Sequence, residues 1–88
     1  MQIKVDHPSA LGPIVRACRK SQRVRQDEAA DSIGVSENFL GKVEKGGDSV
    51  NWGKLFQVLQ GLGVHVILDV PADVARMLEQ SSNADSTR

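Results

Sequence analysis

Glu37, Asn38, Gly41 and Lys42 fall on one face of a short helical window that opens after Ser36, and the opposite face carries Leu40 and Val43. An exposed amide, ammonium and carboxylate on one short helix are the groups that read base edges in a DNA major groove. Asn38 can pair bidentately with adenine, Lys42 can reach guanine O6/N7 or a phosphate, and Glu37 can accept from cytosine N4. Ser36 stands at the helix start, where base edges come closest and where its hydroxyl also suits an N-cap. Phe39 either touches a thymine methyl or packs at the groove rim. Glu37 has a second reading, as a carboxylate favoured by the helix dipole. Gly41 costs about 1 kcal/mol relative to alanine in mid-helix; it either permits close approach to the backbone or removes one base contact.

Catalytic chemistry finds no comparable frame. His7 and His65 are isolated, and no Gly-rich loop follows a strand to hold phosphate. Cys18 is the sole cysteine, so an internal disulfide is excluded and no zinc-type spacing exists. Cys18 lies on an apolar stripe and reads as a small core residue. No enzyme, cofactor, metal or small-molecule substrate is expected. With 88 residues the chain makes one domain, and a core shared with a second copy is the easier route to stability. The lone cysteine suits a reducing compartment, and the N-terminus lacks a signal peptide's apolar core, so a cytoplasmic, membrane-free protein is expected.

Net charge is zero, which by itself argues against a nucleic-acid partner. Its distribution reverses that argument. Residues 1–25 carry a net of +5, residues 26–50 a net of −4, and the remainder −1. Arg16, Arg19, Lys20 and Arg23 recur at helical spacing, and Arg19 and Lys20 in particular suit a DNA backbone. Lys45 and Lys54 are further phosphate contacts.

Four helices must position these groups. Leu11, Ile14, Val15 and Cys18 predict the first, with Ser9 as its cap and Pro13 in its opening turns. Ala29, Ala30 and Ile33 predict a short second helix ended by Gly34. The third closes near Gly46-Gly47. Trp52, Leu55, Phe56, Val58, Leu59 and Leu62 predict the fourth, from about Asn51, with Trp52 and Phe56 in the core or a dimer interface. The period then switches to two: Val64, Val66, Leu68 and Val70 share one face of a strand over 64–70, stopped by Pro71. Its partner is either MQIKV at the N-terminus or the same strand of a second copy. Val74, Met77 and Leu78 permit one or two helical turns, and Ser81 to Arg88 read as disordered. The expected organisation is an arm over 1–8, a DNA-binding domain over 9–63, a dimerisation strand over 64–70 and a tail over 71–88.

Within 26–45 the second and third helices must cross steeply. Ala30 supplies the small residue at the contact and Gly34 the positive φ of the turn, the requirements of a helix-turn-helix. In this register VRQDEAADSIGVSENFLGKVEKG resembles the Cro/C1-type (XRE) helix-turn-helix family. The flanks LGPIVRACRKSQRVRQ and VNWGKLFQVLQGLGVHVIL are similar, more narrowly, to HipB-type antitoxins, and the likeness spans residues 9–70. It implies an all-α, lambda-repressor-like domain of four to five helices whose C-terminal strand pairs across a homodimer. It also implies palindromic operator DNA and a HipA-like Ser/Thr kinase toxin as partners, with repression of its own operon. By the same resemblance Gln26 anchors the DNA backbone and Arg19 pairs with Glu44. If that pair is partly buried, losing one partner costs several kcal/mol; if exposed, under ~1 kcal/mol. The acidic strip Asp27, Glu28 and Asp31 offers a toxin-binding surface. Two other readings stand beside this one: a stand-alone regulator without a toxin, and an interaction module that keeps the fold without binding DNA.

Overall fold

The computed structural model describes residues 1–86. A 3-10 turn, Pro8–Ala10, leads into α1 (Leu11–Ser21), α2 (Gln26–Ile33), α3 (Glu37–Glu44), α4 (Trp52–Gly61) and α5 (Ala72–Ser86), and the described residues contain no strand. The chain is all-α, and its helix-turn-helix is α2 and α3.

Each boundary has a local cause. Ser36 Oγ accepts the Phe39 N–H at 3.0 Å to start α3, and Asn51 Oδ1 accepts the Lys54 N–H at 3.0 Å to start α4. Gly34 ends α2 in the left-handed region at φ +93°, its N–H bonded to Ala30. The start of α1 differs from expectation. Ser9 does not cap it: His7 caps the preceding 3-10 turn, its Nδ1 accepting the Ser9 N–H at 3.1 Å. Two prolines explain the shift. Pro8 opens the 3-10 turn, and Pro13 sits third in α1, where its missing N–H costs no helical bond.

Val15, Ala29, Ala30, Leu40, Val43, Val58, Leu59 and Leu62 form the buried core, with Val15, Leu40 and Val58 fully enclosed. Helix α1 lies hard against the end of α3. A Cβ on Gly12 would stand 2.6 Å from the Glu44 carbonyl oxygen and 2.8 Å from the Gly46 nitrogen, so only glycine fits. Two amides tie α4 to its neighbours: Gln57 donates to the Ile33 carbonyl at 2.7 Å, and Gln22 to that of Leu62 at 3.1 Å.

Beyond Val64 the chain leaves the core. Val64 is half-buried, but Val66, Ile67, Leu68 and Val70 are exposed, and residues 64–70 form no ladder with any of the described residues. A strand needs a neighbour, and MQIKV does not supply one. Helix α5 outruns the one or two turns expected, because no proline or glycine interrupts residues 72–86. The disorder expected over 81–88 therefore gives way to helix as far as Ser86, and residues 87 and 88 lie outside the described ones. Trp52 is not in the core. It is 77% exposed and tilts against Phe56 at a ring-centroid distance of 6.3 Å.

Candidate nucleic-acid interface

The outward face of α3 and the start of α2 enclose an open groove of about 640 Å³. Glu37, Asn38, Gly41 and Lys42 of α3 line it, with Gln26 on one side and Lys45, Gly46, Gly47 and Asp48 on the other. Residues scattered over two helices and a loop thus converge, because Gln26 at the α2 N-terminus lies against Gly41 of α3. Glu37, Asn38, Lys42 and Lys45 are exposed, while Gln26 is half-buried.

Local packing aims several of these groups. A Cβ on Gly41 would meet the Gln26 amide, with Nε2 and Oε1 both at 3.6 Å. Gly41 therefore forms the groove floor beside Gln26, and a methyl there would make only ordinary contact. At Gly47 a Cβ would stand 2.9 Å from Lys42 Cγ and 3.0 Å from the Lys42 carbonyl oxygen. A side chain at position 47 would therefore crowd the lysine stem.

Other expected site residues lie elsewhere. Ser36 is exposed, but its hydroxyl is committed to capping α3. Phe39 packs half-buried against the core, and Lys54 Nζ sits 5.9 Å from its ring centroid. That cation–π contact holds Lys54 near the start of α4 rather than in the groove. Lys20 is exposed on α1 and does not line the groove either.

Arg19 turns inward. Its Nε donates to Glu44 Oε2 at 2.7 Å, Nη2 to Glu44 Oε1 at 2.9 Å, and Nη1 to the Val24 carbonyl at 2.9 Å. The Glu44 hydrogen bonds raise the guanidinium pKa further above its ordinary value, against the opposing effect of burial. Side-chain exposure is 11% for Arg19 and 4% for Glu44, so this is a buried, bidentate pair. Two roles were expected of Arg19, and the geometry is that of the ion pair. With every guanidinium nitrogen engaged, it orients α3 against α1.

Sequence reasoning missed Gly12, Gly47 and Arg25. The glycines gave no signal, since close approach is invisible until the helices pack. Arg25 did give one: arginine is a poor residue for the N-cap of α2. It forms a fork with Asp27, Nη2 to Oδ2 at 2.6 Å and Nε to Oδ1 at 3.1 Å, with Glu28 at 3.6 Å. The acidic strip of α2 is therefore partly neutralised, and Asp31 remains exposed. Among the described residues no three metal-type side chains converge, and no helix is long and apolar enough to cross a membrane.

The family model described as helix-turn-helix matches residues 15–67, which include α2, α3 and α4 entire. The chain belongs to the Cro/C1-type helix-turn-helix family. It is thus a DNA-binding transcriptional regulator and not an enzyme. The uncharacterised HTH-type transcriptional regulator y4mF of Sinorhizobium fredii is 37% identical over 73 residues, covering 83% of this chain and 96% of the relative. Among solved structures, a chain from a HipA–HipB–O2–O3 complex superposes with a TM-score of 0.71 at 23% identity, over 78% of this chain and 97% of that one. At that identity the likeness is one of fold. The clp gene regulator ClgR of Corynebacterium glutamicum matches with a TM-score of 0.59 at 32% identity, over 72% of this chain and 85% of its own.

Proposed function

We propose that this helix-turn-helix regulator is a homodimeric repressor that reads a palindromic operator through α3 and serves as the antitoxin of a HipA-like kinase toxin. The observation that carries the DNA reading is the groove itself: α3 is clamped to α1 by Arg19–Glu44 and Gly12, leaving Asn38 and Lys42 open on its far side. Asn38 reads adenine and Lys42 guanine or a phosphate, while Gln26 and Lys45 hold the backbone. Lys20 and Lys54 contribute outlying phosphate contacts. Glu37 is the weakest base reader, since it also suits the dipole at the start of α3.

Homodimerisation is supported by the segment over 64–70, whose Val66, Leu68 and Val70 are exposed and which has no partner strand among the described residues. Pairing with a second copy would set two α3 helices about one helical turn, ~34 Å, apart. The antitoxin role rests on likeness to the chain solved with HipA, which shares the fold over most of its length. The acidic residue Asp31 and the exposed apolar face of α5 are surfaces such a toxin would use.

Binding to DNA upstream of its own reading frame tests the reading. A salt-dependent shift is expected, and it should weaken roughly 5- to 150-fold in Asn38→Ala and in Lys42→Ala, about 1–3 kcal/mol each. Full operator affinity in both variants would remove this site assignment. A kinase-type reading frame next door whose product co-purifies with the chain supports the antitoxin role. Its absence favours the stand-alone regulator to which the ClgR likeness points. A wild-type chain that shifts no duplex at low salt would leave the interaction module, which the groove carboxylates Glu37 and Asp48 favour.

A further inference from the structure

Position 25 breaks a local rule. It is the N-cap of α2, with φ −70° and ψ 157°, where Ser, Thr, Asp or Asn would accept a hydrogen bond from the first turn; Arg25 makes no such bond. Its positive charge also stands at the positive end of the helix dipole. The side chain is 76% exposed and takes no part in the core. A residue that costs local stability and returns no packing marks a functional position.

Its location supplies the function. Arg25 immediately precedes Gln26, which lines the groove, and the charge of Glu37, on the α3 wall of the same groove, acts on it. Its guanidinium is taken up by the Asp27 fork, and that hydrogen bond, ahead of the charges of Glu28 and Glu37, holds the group charged. An arginine fork that fits a carboxylate fits a phosphate equally well.

We propose that Arg25 is a DNA-backbone contact at the edge of the groove, and that Asp27 occupies it in the free protein until a phosphate takes its place. The proposal rests on the DNA-binding reading of that groove. Because the Arg25–Asp27 pair is exposed, it is weak, and exchanging a carboxylate for a phosphate costs little. Asp27 then lowers affinity for any duplex, and does so through Arg25. A plain surface carboxylate would instead repel DNA whether or not the arginine is present.

Fluorescence anisotropy on the intact chain separates these cases. The probes are a duplex from directly upstream of its reading frame and a shuffled duplex of equal length, each titrated across salt concentration. Arg25→Ala should weaken both duplexes alike and reduce the salt slope by about 0.9 per protomer, one phosphate each. Asp27→Asn should tighten both, and in the Arg25→Ala background it should change nothing. An unchanged slope in Arg25→Ala overturns the phosphate contact, and a gain from Asp27→Asn that survives without Arg25 overturns the exchange. Failure of the wild type to bind either duplex would instead remove the DNA-binding reading on which the proposal stands. Both side chains are exposed, so all three variants should melt with the wild type.

Discussion

The α1–α3 junction and the chain beyond Gly63 are built on opposite principles. At the junction Gly12 lets backbone touch backbone, Val15, Leu40 and Val43 fill the space, and Arg19 and Glu44 close the edge with each charge answered. Beyond Gly63 the apolar side chains are as large, yet Leu68 is 79% exposed and Met77 64% exposed. Hydrophobicity alone therefore does not decide burial. The single chain completes its packing where the recognition helix must be held rigid, and leaves its other end without a neighbour.

The contrast breaks first at Glu44. Glu44→Ala strands the buried Arg19 charge, and urea denaturation should show a loss of about 3–5 kcal/mol; wild-type stability would mean that the pair is open to water. The pH dependence has a definite sign. Because Glu44 raises the Arg19 pKa, the pair's contribution from arginine is complete at lower pH and is lost only above that raised value, in strong alkali. The stability gap between wild type and Arg19→Ala should thus stay flat from about pH 7 to about pH 10.

Gly12→Ala comes next. Its Cβ would overlap three backbone atoms, those of Glu44, Gly46 and Val43, none of which can swing aside. A loss of about 2–3 kcal/mol is expected by the same denaturation. The opposite region gives the opposite result: Leu68→Asp should leave the helical circular dichroism intact, since Leu68 supports nothing in its own chain. Sedimentation should show the proposed dimer dissociating. A Leu68→Asp chain that unfolds would mean that residues 64–70 belong to the monomer's core after all.

Gly41→Ala is smaller still. The added methyl meets only the Gln26 amide at 3.6 Å, so thermal melting should show stabilisation of about 1 kcal/mol. Operator affinity measured on the same variant then tells whether the glycine serves close approach of DNA. The least effect on the fold is expected at the exposed fork. The Arg25 hydrogen bond holds the Asp27 carboxyl below its ordinary pKa, so its small contribution is present at neutral pH and disappears only as pH falls through that depressed value. An NMR titration should find the Asp27 pKa raised in Arg25→Ala.

Much of this was legible in the residues because it is local. Ser36 and Asn51 cap within three residues of themselves, Gly34 turns the chain where a positive φ is needed, and the apolar spacing of α1 and α4 sets their inner faces. The groove residues Glu37, Asn38 and Lys42 follow from the same helical period, since Leu40 and Val43 fix the buried side. The failures share a cause as well. Ser9 does not cap α1, Trp52, expected in the core or a dimer interface, lies outside the single chain's core, and Phe39, expected on a thymine methyl or at the groove rim, packs half-buried against the core. Each depends on which helix lies opposite, and helical period alone does not tell.

By itself the sequence determined the helices, their inner faces and the polar groups α3 carries outward, because propensity, capping and amphipathic period act within a turn or two of chain. The family resemblance implies the pairing of Arg19 with Glu44, 25 residues away, but only the tertiary structure decided that the pair is buried and that Arg19 spends all three guanidinium nitrogens inside the protein. It decided too that Gly12 is indispensable while Gly41 is not, and that Gln26 lies against the groove floor. Steric contact and charge pairing across helices exist only once the faces meet, and no local pattern records the distance at which they do.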